Sequence, residues 1–208
     1  MPAHLPERSV TAFLAEHADW LAERTVTARP TPLRDGDRLA LFDDRLTLHL
    51  RPGARATARL SGAGLIVTRP EETDPLVPIE RWYRTHARRE LAALAESWAD
   101  RLGVRVGGIA IRDPRGRWGS CSARGRLSFS WRLMLAPRAV AEHVVAHEVC
   151  HLVHLDHSPA FHALLRRVDP NTGWARAWLN DNGARPYAGP ARHVFSAAGG
   201  GPGAAGAP

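Results

Sequence analysis

Lysine is absent from this 208-residue sequence, so all 28 basic residues are arginine. With alanine, glycine and proline abundant, that absence reads as coding bias; the formal net charge of +7 is partly compositional, though electrostatically real. Cysteine is scarce. Cys121 and Cys150 allow at most one disulfide, which excludes a disulfide-built scaffold and fits a reducing compartment. No run of 18 apolar residues occurs, and the opening MPAHLPERSV holds no apolar stretch. Neither a membrane span nor a signal peptide is therefore expected, and a cytoplasmic monomer is the expectation. Glutamate is missing from the whole chain after Glu148. What is present is ordinary globular composition, 44% apolar and 24% charged, enough for one substantial core or a core with an appendage.

The lost glutamates matter because of HEVCHLVHLDH, His147 to His157. His147 and His151, four residues apart on a helix, project from one face a turn apart and can share an ion. Zinc suits them: it takes neutral imidazole nitrogens, and a catalytic zinc keeps a fourth position open for water. Glu148 sits about 100° round the helix, beside that water rather than on the metal, which is a general base's position. The first five residues match the H-E-x-x-H signature. A glutamate from a later helix cannot complete the site, since none follows. His157 stands where the helix can end and the chain turn back; Asp169 and Asp181 are the other candidates. Cys150 falls off the ligand face and reads as a small buried thiol. His154 is a candidate for holding a developing oxyanion, whereas Ser120 and Cys121 read equally as cleft-lining or as packing and turn residues.

Residues 9 to 25 read as an amphipathic helix with Val10, Phe13, Leu14, Trp20 and Leu21 on its apolar face. Two hairpins follow between 38 and 68, turning at Asp43-Asp44-Arg45 and Ser61-Gly62-Ala63; His49 there reads as a half-buried strand residue. A proline- and charge-rich connection, Arg69 to Pro78, leads into a long helix from Ile79 to Leu102 with Trp82, Leu91, Leu94, Ala95 and Trp98 apolar. Val104 to Asp113 alternates as a strand, and Trp118 to Leu135 reads as strand, turn at Arg124-Gly125, and strand. Pro137 opens the metal-binding helix. Ser158 and Pro159 start a short helix, and Thr172 to Asn180 a last one with Trp174 and Trp178 sharing a face. The tail from Ser196 to Pro208 lacks packing side chains and is expected to be disordered. These elements give an α+β class with a small antiparallel sheet and a metal-binding helix. The expected division is an N-terminal helix and hairpin region over 1–78, a core over 79–195 and a tail over 196–208.

WGSC (Trp118 to Cys121), LSFSWRLMLAP (Leu127 to Pro137) and VVAHEVCHLVHLDHSPAF (Val144 to Phe161) together resemble the YgjP-like metallopeptidase domain, a relative of SprT-like and WLM zinc proteases. The resemblance runs from about Ile79 to Gly183, with His162 where relatives commonly carry tryptophan. It implies a zincin-like fold, Zn2+ held by His147, His151 and His157, Glu148 as catalytic acid/base, and peptide or unfolded protein as substrate. Two other classes stay in view. One is a zinc-stabilised domain without turnover, against which Glu148 argues, since a structural site has no use for a carboxylate over an open position. The other is a nucleic-acid-associated protein: from Arg105 to Arg138 eight arginines face Asp113 alone.

Overall fold

The computed structural model describes residues 32–114 and 116–182. The helix expected at 9 to 25 and the tail from 196 lie outside the described residues. Strands β1 (Arg38–Leu41), β2 (Asp44–Pro52), β3 (Thr57–Ser61) and β4 (Gly64–Arg69) form one sheet in the order β1-β2-β4-β3. Both expected hairpins are present, with Leu41 opposite Asp44 and Ser61 opposite Gly64. The first turn is therefore Phe42-Asp43, a residue earlier than the acidic cluster suggests. Phe42 takes a left-handed φ of 52°, and its N–H donates to the Met134 carbonyl at 2.7 Å, a tertiary bond that local turn chemistry does not reveal. The hairpins are joined by a parallel pairing of β2 with β4 that the hairpin reading does not anticipate. Alternation along these strands puts Leu39, Leu48, Leu65 and Val67 fully inside.

Against that face lies α1 (Leu76–Leu102), which begins three residues before the expected Ile79 and ends at Gly103, left-handed at φ 65°. Its buried line is Ile79, Tyr83, Ala87, Leu91, Ala95 and Ala99, one residue per turn. Trp82, Leu94 and Trp98, read from sequence as part of the face, are half-buried at its margin. The alanines explain the shift: small side chains let the helix axis approach its neighbours, and the bulky rings flank the seam. The Tyr83 hydroxyl donates to the Ala40 carbonyl, tying helix to hairpin.

A second sheet, ordered β5-β7-β6, holds β5 (Gly108–Arg112), β6 (Gly119–Cys121) and β7 (Arg126–Ser130). β6 and β7 are antiparallel about a turn closed by Gly125 N–H to the Ser122 carbonyl at 2.8 Å; β5 and β7 are parallel. The strand expected to continue to Leu135 instead becomes a 3-10 turn, Trp131–Leu135, with the Ser130 hydroxyl accepting from the Arg132 amide. Trp131, Leu133 and Met134 are all fully buried, which strict alternation cannot achieve; the 3-10 turn brings Met134 onto the side of Trp131.

Three helices finish the described chain: α2 (Arg138–Cys150), α3 (Pro159–Val168) and α4 (Thr172–Asn182). Pro137 stands at the N-cap of α2, and the Ser158 hydroxyl caps α3 by accepting from the Phe161 amide, both as expected. In α4 the buried residue is Ala175, with Trp178 and Leu179 packed around Val140 and Ala136. Trp174 is 52% exposed, so the two tryptophans do not share the packed face. One apolar cluster runs from Leu39 and Leu65 through α1 to Leu127, Phe129 and the inner side of α2, so hairpins, α1 and α2 share a core. The class is α+β.

Candidate metal centre

Helix α2 has two jobs on two sides. Val140, Ala141, Val144, Val145 and Val149 face the core, which leaves His143, His147 and His151 at four-residue spacing along the other side. The Nε2 atoms of His147 and His151 lie 3.2 Å apart, and the Nε2 of His157 lies 3.2 Å from that of His147. These three residues form a cluster able to coordinate a metal ion. Two imidazole nitrogens bound tetrahedrally at zinc's roughly 2.0 to 2.1 Å would stand about 3.3 to 3.4 Å apart, so the donor set fits such an ion.

The chain sets the tautomer of one ring directly. His151 Nδ1–H donates to the His154 carbonyl at 2.9 Å, which frees Nε2 as the lone-pair donor. His154 thus serves the cluster through its backbone, and its ring is not among the cleft-lining groups. Burial, reinforced by the neighbouring imidazoles, pushes His147 down to about 3, so the ring is neutral at ordinary pH. Burial also lowers His151, with the His157 ring adding to the effect and the bond to His154 opposing it.

Phe161 fixes the rings in place. It is fully buried, stacks on His151 with centroids 4.5 Å apart, and meets His147 and His157 edge-on at 4.9 Å. In sequence it reads only as a packing residue of α3; its contact with all three histidines depends on the chain reversal after His151. The alternative aspartates are elsewhere. Asp169 is engaged by His143, and neither it nor Asp181 joins the cluster. Cys150 is fully buried and outside the cluster, its thiol pushed up to about 11 by burial, then by Asp169. Both cysteines are free. His49 is half-buried in β2.

Glu148 follows the first histidine and is only 7% exposed. Burial pushes its carboxyl up to about 7, against the pull of Arg117. Gly119 of β6 lies directly against this carboxyl: an added Cβ would stand 2.7 Å from both Cγ and Oε1 of Glu148. A Cβ here would force the Glu148 side chain to shift, a closeness that the letters WGSC do not disclose. The cleft, about 550 Å³, is lined by Trp118, Gly119, His143, His147, Glu148 and Arg176, among others. Of the arginine-rich segment, Arg132 is paired with Asp113 at 2.6 and 3.0 Å and Arg138 with Glu142 at 3.0 Å. Arg115 lies outside the described residues.

A three-histidine cluster with an adjacent buried glutamate is metallopeptidase-like, and the family model for the YgjP-like metallopeptidase domain matches residues 1–182. The chain belongs to the YgjP-like family. No curated protein matches it. One solved structure, described as the crystal structure of the metallopeptidase zymogen of Pyrococcus abyssi abylysin, is 19% identical and covers 43% of this chain and 93% of that one. Its TM-score is 0.39. The YgjP-like family thus rests on the sequence match. Among the described residues no helix is long and apolar enough to cross a membrane.

Proposed function

We propose that this chain is a zinc-dependent peptidase of zincin-like architecture, with Glu148 as general acid/base. The observation that carries the reading is one buried carboxyl, next in the chain to His147 and lining the same cleft as His147 and His157 of the three-histidine cluster. His147, His151 and His157 hold the ion. Zinc, when bound, supplies Lewis acidity that polarises a carbonyl and acidifies water. Glu148 takes the proton of the attacking water and returns it to the departing amine. Burial keeps bulk water from competing, and Gly119 leaves room for the carboxyl to stand between helix and strand.

The substrate proposed is an extended peptide or an unfolded segment of protein. Among the described residues β6 pairs with β7 alone, and Trp118 and Gly119 line the cleft, so a peptide can add to the other edge of β6 as a further strand. A cytoplasmic setting accords with two free thiols. The test is to incubate the zinc-loaded chain with mixed peptides and unfolded proteins and read cleavage by mass spectrometry, with Glu148→Gln as control. Fragments that depend on Glu148 and disappear on chelation are expected. Fragments made equally by both proteins, or by neither, would overturn the reading.

A further inference from the structure

Helix α4 brings a charge to the cleft that the acid/base chemistry leaves unused. Ala175 is fully buried and Leu179 packs around Ala136 and Val140 beside the start of α2, so the helix is firmly seated. Arg176 and Asn180, four residues apart on α4, both line the cleft. The Arg176 guanidinium makes no hydrogen bond or ion pair among the described residues, and its charge reaches the His147 ring at the cluster. Glu148 is the only carboxyl among the described residues lining the cleft, and Arg117 is the cation that acts on it. With a divalent ion on the histidines the cleft is electropositive, and Arg176 is its uncommitted cation. His162, Leu165 and Arg176 also border a smaller hollow of about 350 Å³, so the cleft continues past the guanidinium. Asp169 lines that hollow, but its carboxylate is bonded to His143 and Thr172 rather than to Arg176.

We propose that Arg176 is a specificity-determining residue whose guanidinium takes a carboxylate of the substrate, either an acidic side chain or the chain end, near the bond that is cleaved. The inference rests on the peptidase reading for its substrate. Carboxylates are the only anionic groups that an unmodified peptide offers at neutral pH, and a guanidinium receives them through two parallel N–H donors. Arg176 and the cluster residues His147 and His157 line one cleft, so a carboxylate held by Arg176 belongs to a residue close in sequence to the reacting carbonyl. Such an ion pair is present in the ground state and the transition state alike, so its signature is in KM more than in kcat. The plainer alternative is a solvated arginine in a chain whose every basic residue is arginine, and it implies no dependence on substrate charge.

Short acetylated alanine–serine peptides separate the two. One is amidated and neutral, a second set is amidated with a single glutamate placed at each position in turn, and a third is neutral except for a free C-terminus. The zinc-loaded parent should cleave a carboxylate-bearing peptide with kcat/KM about tenfold or more above the neutral one. Arg176→Gln, at an exposed position, should keep a near-parental Tm and zinc content yet erase that ratio, mainly through KM, and Arg176→Lys should recover part of it. Preference for an amidated glutamate peptide assigns an acidic side chain; preference for the free terminus alone assigns the chain end. Binding needs no turnover: on the zinc-loaded Glu148→Gln chain the favoured peptide should bind about tenfold more tightly than the neutral one, and adding Arg176→Gln should remove the difference. A preference that survives Arg176→Gln places the carboxylate elsewhere, on the ion or on Arg117, and overturns the inference. Cleavage indifferent to carboxylates overturns it too, while the peptidase reading stands. If nothing is cleaved but a carboxylate peptide binds through Arg176, the subsite stands and the peptidase reading falls; if no peptide is bound or cleaved, both fall.

Discussion

Replacing Glu148 by glutamine should stabilise the metal-free protein while abolishing its chemistry. The carboxyl is 7% exposed and sits at about 7 where an ordinary one is near 4.5. In the unfolded chain it ionises first, so this group's contribution to stability is lost progressively as pH rises from about 4.5 to about 7 and is constant above that. A difference of about 2.5 pH units at 1.36 kcal/mol each amounts to about 3 kcal/mol, an upper figure. Glutamine keeps the volume and carries no titratable charge. The stability difference, variant minus parent, should therefore be about 3 kcal/mol more favourable at pH 8 than at pH 4. Denaturant unfolding of both proteins in the presence of chelator measures it, and contributions from the histidines cancel in the comparison. In the zinc-loaded proteins the difference should shrink, because a nearby cation favours the ionised carboxylate. A difference that does not vary with pH would refute the claim that burial strains this group. Cleavage should fall by at least about a hundredfold with zinc retained.

Metal analysis should find one zinc per chain, lost or sharply weakened in His147→Ala, His151→Ala and His157→Ala and near parental in Asp169→Asn and Asp181→Asn; full occupancy in all three histidine variants would dismiss the site. Gly119→Ala should leave zinc in place but cut turnover by about tenfold or more, since its methyl would occupy space held by Glu148; parental kcat would mean that the carboxyl moves aside freely. Phe161→Ala should cost about 3 to 5 kcal/mol of stability and weaken zinc binding, because the ring packs against all three histidines; unchanged zinc affinity would separate packing from ligation.

The helix carrying the cluster was legible because two periods coincide in it: valines for the core, and histidines at four-residue spacing for the cleft. Both hairpins and the Ser158 cap were legible from turn and cap chemistry. What sequence could not yield depends on contacts between distant segments. The parallel pairings of β2 with β4 and β5 with β7 leave no local mark, since alternation is the same in either direction. The change from strand to 3-10 turn at Trp131 follows from three nearby large residues needing burial together, in a run that also satisfies a strand pattern. His143 stands in a histidine-rich stretch, but its partner Asp169 lies 26 residues away and reads in sequence as a candidate metal ligand. Only the fold shows that the carboxylate is already occupied.

The three clustered histidines are held unequally. His151 is buried and hydrogen-bonded through Nδ1, His147 is half-buried on the helix, and His157 is exposed on the connection before α3. That connection is anchored at its far end, where the Ser158 amide donates to Asp156 and the Ser158 hydroxyl accepts from the Phe161 amide. Between His151 and Ser158 the backbone is secured mainly by turns on the end of α2, including the His154 amide to the Cys150 carbonyl at 3.0 Å. An ion binding all three rings therefore cross-links a rigid helix to a less rigid connection, and part of its binding free energy appears as ordering of residues 152–157. Amide exchange across those residues should slow markedly when zinc is added, while amides of α2 before His147, already within the core helix, should change little. Equal protection of both segments without zinc would mean that the connection is already ordered and that the ion only fills a finished cage.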